Sequence, residues 1–409
     1  MPIHEACTST DVRPRPTVRL PDRGPFRFPA PYDTTGIRLT NEQDMGGVDA
    51  LWPTGYAYWQ AINAHAGQPE LYVFLGIDRT RGGAGPSLYH VDKQTLAVTP
   101  MGPLFPADHP LSWATGEGWY WSATDPAILY VSDDEHLYRY DVWTHALTVV
   151  VDITACQWMG KFALRQWHTA RTGTVHSATL KAVTDAAWPA IGTLVHREAA
   201  PQPSRFIPKR GDLDESQVDA SGEWLLIKEN LDAADGEDNR ILRVADGTER
   251  VLMDREGAAG HSDNGFGYMV AADNWNDLPY AWRVWMFDAA AEPQGRVVYH
   301  SPTWEVELNH VSHCNARRGA PEGQWIFGSG ATRTVGPRAN ELVAFPLDGS
   351  LRVTVFAPTL VDLDAAGGGS DDYAKMPKAN VDPSGEFLLW TSNHGSARLD
   401  AFLVQVPRL

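Results

Sequence analysis

The side chains that could do chemistry together are histidines at four places: His65, His168, His261, and the pair His310 and His313. A neutral imidazole takes or gives a proton near neutrality and also binds metal ions, so either use is open to them. The segment 260–284 adds more. It places His261, Asp263, Tyr268 and Arg283 within one hairpin, polar where a purely structural strand would be apolar. Its turn at 274–279 is expected to bring Arg283 back alongside Tyr268. A tyrosinate or histidine beside a cation can abstract a proton, and an arginine fork can hold a carboxylate through two hydrogen bonds. Those are the parts needed for β-elimination from a uronic acid. The structural alternative makes Tyr268 a core aromatic and Arg283 an ordinary strand residue.

His261, His310 and His313 also suggest a divalent metal (zinc, calcium or manganese), with Asp263 or Cys314 available as a fourth ligand. The competing account is a hydrogen-bonded imidazole cluster. His313 and Cys314 are consecutive and would face opposite ways in a regular strand, so both can bind one ion only if the chain bends there. Other chemistries fail on their motifs. Residues 79–87 are glycine-rich but lack the Gly-Lys-Ser/Thr ending and following helix of a phosphate loop, and read as a connection between strands. No Gly-x-Ser-x-Gly elbow is present, which argues against acyl-enzyme chemistry. Trp59, Trp113, Trp167 and Trp275 could stack on sugar rings or pack between sheets.

These residues must be positioned by strands. Residues 218–226 recur almost unchanged at 381–389, and a weaker copy lies at 320–325. In each, Asp, Pro or Ser initiates a turn, Gly takes the positive φ, and an aromatic-aliphatic strand follows. Helix-period segments are almost absent. Innermost strands are expected to start near 59, 111, 167, 213, 260, 308 and 372, a mean spacing of about 52 residues, slightly above that of a four-stranded propeller blade. The predicted fold is all-β: a seven-bladed β-propeller over 51–409, single-domain, preceded by a Pro- and Arg-rich arm at 1–50 that can supply an outer strand and close the ring. Any site should then sit where the innermost strands of several blades begin.

Composition narrows the partners. Lys plus Arg number 34 against 51 Asp plus Glu, a net charge of −17 that argues against nonspecific nucleic-acid or anionic-membrane binding. Three cysteines, Cys7, Cys156 and Cys314, are too few and too dispersed for a disulfide framework or a zinc ribbon. No apolar run of membrane-spanning length and no secretory leader is visible, so the expectation is a cytoplasmic protein or one whose leader was removed. Nothing calls for an organic cofactor, and a monomer is expected.

The Asn63-Ala-His65 stretch, residues 71–86, His261-Ser-Asp-Asn-Gly265 and His310-Val-Ser-His313 together resemble the seven-bladed propeller polysaccharide lyases that act on rhamnose-linked glucuronate, the ulvan and rhamnose-glucuronate lyases. The similarity covers about residues 26 to 407. It implies β-elimination that leaves a 4,5-unsaturated uronate, with Arg283 as carboxylate neutraliser, Tyr268 and His168 as acid and base candidates, and His65 as a second site histidine. It also implies a metal, as in the oligogalacturonate lyases of similar fold, which hold manganese with histidines. The substrate would be an anionic polysaccharide or oligosaccharide. Asn63, Arg171, Trp275 and Arg317 are the candidate contacts to it, and Arg283, Arg318 and Lys375 or Lys378 add to the local positive potential. A glycoside hydrolase on the same fold, rhamnosidase-like, and a noncatalytic glycan- or protein-binding propeller are the alternatives.

Overall fold

The computed structural model describes residues 2–52, 56–154, 162–183, 187–200, 203–234, 236–253, 261–273, 281–288, 295–300 and 308–409. Among these the chain forms seven antiparallel sheets, five of four strands and two of five, and one single-turn α-helix. It is a seven-bladed β-propeller.

By contacts the chain forms two compact units, the first being Met1–Trp121, Tyr299–Asn315 and Glu322–Leu409, the second Ser122–Val298 and Ala316–Pro321. In the first unit, one sheet runs Leu51–Trp52, Glu70–Ile77, Ser87–Asp92 and Val98–Pro103. A second runs His310–Ser312, Trp325–Ser329, Glu341–Pro346 and Arg352–Pro358, with Ile3–Ala6 added at its outer edge. The third runs Asn380–Val381, Phe387–Ser392 and Asp400–Gln405, and is completed by Thr35–Arg38 and Gly24–Arg27. Residues 1–50 thus contribute three outer strands to two sheets. The added strands cover edges that would otherwise expose unpaired backbone groups.

Alternation along these strands produces the core. Ile37, Leu51, Ile62, Val73, Leu75, Leu389 and Leu403 are fully or almost fully buried in one cluster. Each such side chain contributes roughly 1.5–3 kcal/mol relative to exposure. In the second unit, Leu225, Ile227, Val195 and Leu242 form one cluster, and Leu226, Ile241, Met269 and Trp285 another.

The repeated nonapeptide is a side-chain-capped turn in both copies. Asp219 accepts from Ser221 Oγ at 2.7 Å, Trp224 N at 3.1 Å and Gly267 N at 2.7 Å, while Gly222 takes φ 76°. Asp382 accepts from Ser384 N at 2.7 Å and from Phe387 N, with Gly385 at φ 77°. A Cβ at either glycine would be strained.

Innermost strands begin at 162, 212, 262 and 310, close to the expected 167, 213, 260 and 308. Near the expected 59, 111 and 372, they are instead two-residue strands at Leu51–Trp52, Tyr120–Trp121 and Asn380–Val381. The first of these is interrupted. Leu51 and Trp52 pair with Ile77 and Gly76, and Ile62 bridges to Val73 on the same neighbour, while residues 56–60, which include Tyr56 and Tyr58, lie outside the strand.

Candidate functional site

The departing segment is pinned by Asn380 on the innermost strand Asn380–Val381. Asn380 Nδ2 donates to the Ala57 carbonyl at 2.9 Å, and Asn380 Oδ1 accepts from Ala61 N at 3.1 Å. Tyr56 and Ala57 hold φ values of 32° and 56°, which non-glycine residues adopt only where the surroundings enforce them. Two serines tie the sheets together: Ser329 Oγ accepts from Ala379 N at 3.0 Å, and Ser312 Oγ accepts from Val381 N at 3.1 Å. Ser329 is the register partner of His310, so this contact delivers residue 378 beside that imidazole.

The result is a cluster of four groups. The His310 ring centre lies 5.3 Å from that of Tyr56 and 5.6 Å from that of Tyr373, and His310 Nε2 is 3.5 Å from Tyr373 Oη. Lys378 Nζ lies 4.2 Å from the Tyr373 ring centre and 5.8 Å from that of Tyr56, and donates to the Tyr373 carbonyl. His310 and Lys378 are buried, Tyr56 is half-buried and Tyr373 is exposed. Tyr373 sits on the single-turn helix Asp372–Lys375, whose first turn Asp371 caps by accepting from Tyr373 N at 2.9 Å.

Burial lowers the Lys378 amine to about 8, with Asp371 opposing the shift. Burial also pushes the Tyr373 phenol up to about 12. At neutral pH Tyr373 is therefore a proton donor, and Lys378 is an ammonium that gives up its proton within reach of physiological pH. An acid, an imidazole and a labile cation share one aromatic-walled site. Such a set can move protons on a bound ligand.

The residues expected from sequence fall differently. His310 is in this cluster, and His313 is not. His313 follows the end of the strand His310–Ser312, and its Nδ1 donates to the Trp325 carbonyl at 3.1 Å. Cys314 is buried, with Sγ 3.4 Å from Asn380 Nδ2. His261 belongs to the second unit, where its carbonyl accepts from Ala272 N at 3.2 Å, and Asp263 Oδ1 accepts from Asn264 N at 2.7 Å. Among the described residues no group of three or more His, Cys, Asp or Glu side chains is arranged to hold a metal ion. The expected trio therefore does not fit one.

Asn63 is buried and spends its side-chain oxygen on Tyr72 N at 3.1 Å, as part of the strand edge. His65 is half-buried, its carbonyl accepting from Gln68 N at 3.2 Å. Trp59 and Trp167 are buried, while Trp113 is exposed beneath Arg79, 4.1 Å from guanidinium carbon to ring centre. Trp275 lies outside the described residues.

In the second unit, Tyr268 and Arg283 are not brought together. Tyr268 pairs with Met286 and Arg283 with Ala271, three positions along, so their side chains leave opposite faces of the sheet. Tyr268 is fully buried with its ring against Gly265, where a Cβ would lie 2.0 Å from the ring. Arg283 is buried in an ion pair with Asp273, 2.5 Å from Nε to Oδ2. Arg171 is half-buried in a turn where its N–H donates to the Ala220 carbonyl at 3.0 Å, and Arg317 is exposed.

His168 is buried beside Glu215 and Lys228, and burial holds its imidazole down at about 4. Lys228 Nζ donates to Glu215 Oε1 at 2.6 Å, and Gln217 Nε2 donates to the same oxygen at 2.8 Å. Gln217 in turn accepts from Asn264 Nδ2 at 3.0 Å. Close by, burial raises the Glu237 carboxyl to about 7, with Lys228 pulling it down and Asp214 pushing it up.

Tyr56 and Tyr373 escaped the sequence reading. Neither lies in a repeat or next to a histidine, and the only usable signal was Lys378 as a contributor of positive potential.

Solved structures of similar fold exist. An oligogalacturonate lyase in complex with manganese superposes with a TM-score of 0.63 at 13% identity, covering 94% of this chain and 96% of that one. The oligogalacturonate lyase from Vibrio parahaemolyticus gives 0.64 at 12% identity, covering 98% and 99%. At such identity the likeness establishes the fold. No protein-family model matches the sequence, and no curated protein does.

Proposed function

We propose that this protein is a carbon-oxygen lyase that cleaves uronic-acid-containing glycans by β-elimination, with the His310, Tyr56, Tyr373 and Lys378 cluster as its reaction centre. The observation that carries this reading is the His310–Tyr373 pair. It joins a group able to accept a proton to a phenol that stays protonated, 3.5 Å apart, in a site walled by aromatic rings. Full-length similarity of fold to two oligogalacturonate lyases supports the reaction class. Those neighbours favour a uronate oligosaccharide in general, and the rhamnose-linked glucuronate of ulvan-type substrates is one member of that class to be tested.

In the reaction, His310 removes the proton α to the uronate carboxylate, at C5. The electron pair of that C–H bond forms the C4–C5 double bond as the C4–O bond breaks. Tyr373 passes its proton to the departing glycosidic oxygen. The Tyr56 and Tyr373 rings offer faces for the sugar. No water enters, so the products are an unsaturated uronate and a new reducing end.

Of the residues expected from sequence, His310 is retained here as a base rather than a metal ligand. Arg283, Tyr268, His168 and His65 stand as candidates to be compared with it by mutation. The test is incubation with a panel of uronate polymers and oligomers, following the ultraviolet absorbance of the unsaturated product together with reducing ends. Both signals are expected from at least one substrate. Reducing ends alone would replace this reading with hydrolysis, and neither signal would replace it with glycan or protein binding.

A further inference from the structure

Six Lys or Arg side chains are buried among the described residues, and five have a carboxylate in reach. Lys228 is 2.6 Å from Glu215, Arg240 2.7 Å from Glu229, Arg283 2.5 Å from Asp273, Arg338 3.0 Å from Glu5, and Lys375 4.0 Å from Asp372. Lys378 has none within ion-pair distance among the described residues. Among the described residues the amine's one hydrogen bond is to the Tyr373 carbonyl, and it lies against two aromatic faces. An ammonium has three donors, so two remain for something else. A buried cation without a counter-ion is costly, and the cost is removed when an anion arrives from outside.

The setting specifies the anion. The amine lies against the same two rings that flank His310, so a carboxylate on Lys378 would place the sugar bearing it beside the imidazole and the Tyr373 phenol. From this geometry we infer that Lys378 is the residue that recognises the substrate carboxylate and makes the site selective for uronates over neutral sugars. The inference deepens the lyase reading and rests on it for the identity of the ligand. Arg283, the neutraliser expected from sequence, is already matched by Asp273. A depressed amine also releases its grip as the medium becomes alkaline. The titratable groups facing Lys378 are Tyr373 and Asp371 from the helical turn, Tyr56 from the departing segment and His310 from the neighbouring strand.

The experiment is calorimetric binding of galacturonate against galactose, and of glucuronate against glucose, to the intact protein. The natural protein should bind each uronate about tenfold to a hundredfold more tightly than its neutral counterpart, the range expected for one charge-assisted hydrogen-bonded contact. That preference should fade as pH rises through the amine's titration. Lys378→Met should erase it, and Lys378→Arg should keep part of it. Equal affinities, absence of binding by both members of each pair, or a preference that survives Lys378→Met would overturn the inference. Should Lys378→Met fail to fold, the pH dependence in the natural protein and the Lys378→Arg variant decide. Turnover is scored separately: a charge preference without unsaturated product would leave Lys378 as an anion site and remove the lyase.

Discussion

Lys228 and Lys378 are both buried, yet their surroundings differ in kind. Lys228 lies in the second unit across the strand pair from Glu215, which also accepts from Gln217, so its charge is answered within the fold. Lys378 lies in the first unit among tyrosines, where a backbone carbonyl is its amine's one hydrogen-bond partner among the described residues. The titrations follow: the carboxylates around Lys228 hold its amine up against burial, while burial alone carries Lys378 down to about 8. A compensated charge specifies packing, and an uncompensated one leaves an electrostatic demand for a ligand to meet.

That contrast can be broken most forcefully at Glu215. Glu215→Ala removes the carboxylate hydrogen-bonded to the buried Lys228 ammonium, leaving only the more distant Glu237 and Asp214 to oppose its burial, and chemical denaturation should show a loss of about 3 kcal/mol. Lys378→Met, by contrast, removes an uncompensated charge and should leave the melting temperature unchanged or raised. A comparable loss from both variants would mean that the two lysines are not different in kind.

Activity should fall most with Tyr373→Phe, which deletes the proton donor while keeping the ring. Turnover on a responsive uronate substrate should drop roughly 10²-fold or more, with binding of the free uronate retained. If Tyr268→Phe instead gives the larger drop, the reaction centre belongs to the second unit. Asn380→Ala should cost about 1–3 kcal/mol by leaving the Ala57 carbonyl and Ala61 N–H without their partner, and should lower turnover by loosening Tyr56.

The remaining effects are in pH dependence, and they have the same direction at the two ends of the scale. The Lys378 amine is depressed from 10.5 to about 8, so between those values the unfolded chain holds a proton that the folded chain has released, and stability should rise with pH in that window. The His168 imidazole is depressed from 6.5 to about 4, so its contribution is present above 6.5 and is lost as pH falls through about 4. Denaturation titrations of Lys378→Met and His168→Gln should flatten the alkaline and acid limbs respectively. Unchanged limbs would show that other groups govern them.

Much of the scaffold is legible without coordinates because its signals are local. An Asp that caps its own turn, a Gly at positive φ and an alternating strand are decided within a dozen residues, as at 218–226 and 381–389. Their spacing is enough to count seven blades. Strand parity is equally local, and already sets consecutive residues such as His313 and Cys314 on opposite faces of a regular strand.

The register that parts Tyr268 from Arg283 is not local, since it is set by the pairing of Tyr268 with Met286 and of Ala271 with Arg283 across two strands. Nor is the departure of residue 56 from its sheet, which is held by Asn380 from the far end of the chain. The meeting of Tyr56, His310, Tyr373 and Lys378 is a product of three sheets tied together by Ser312, Ser329 and Asn380. The amino-acid sequence by itself determines the blades and their turns, because short-range sterics and alternation suffice for them. Which lysine is answered by a carboxylate and which is left to a ligand is decided only by the tertiary structure, because burial and long-range proximity do not exist until the sheets pack.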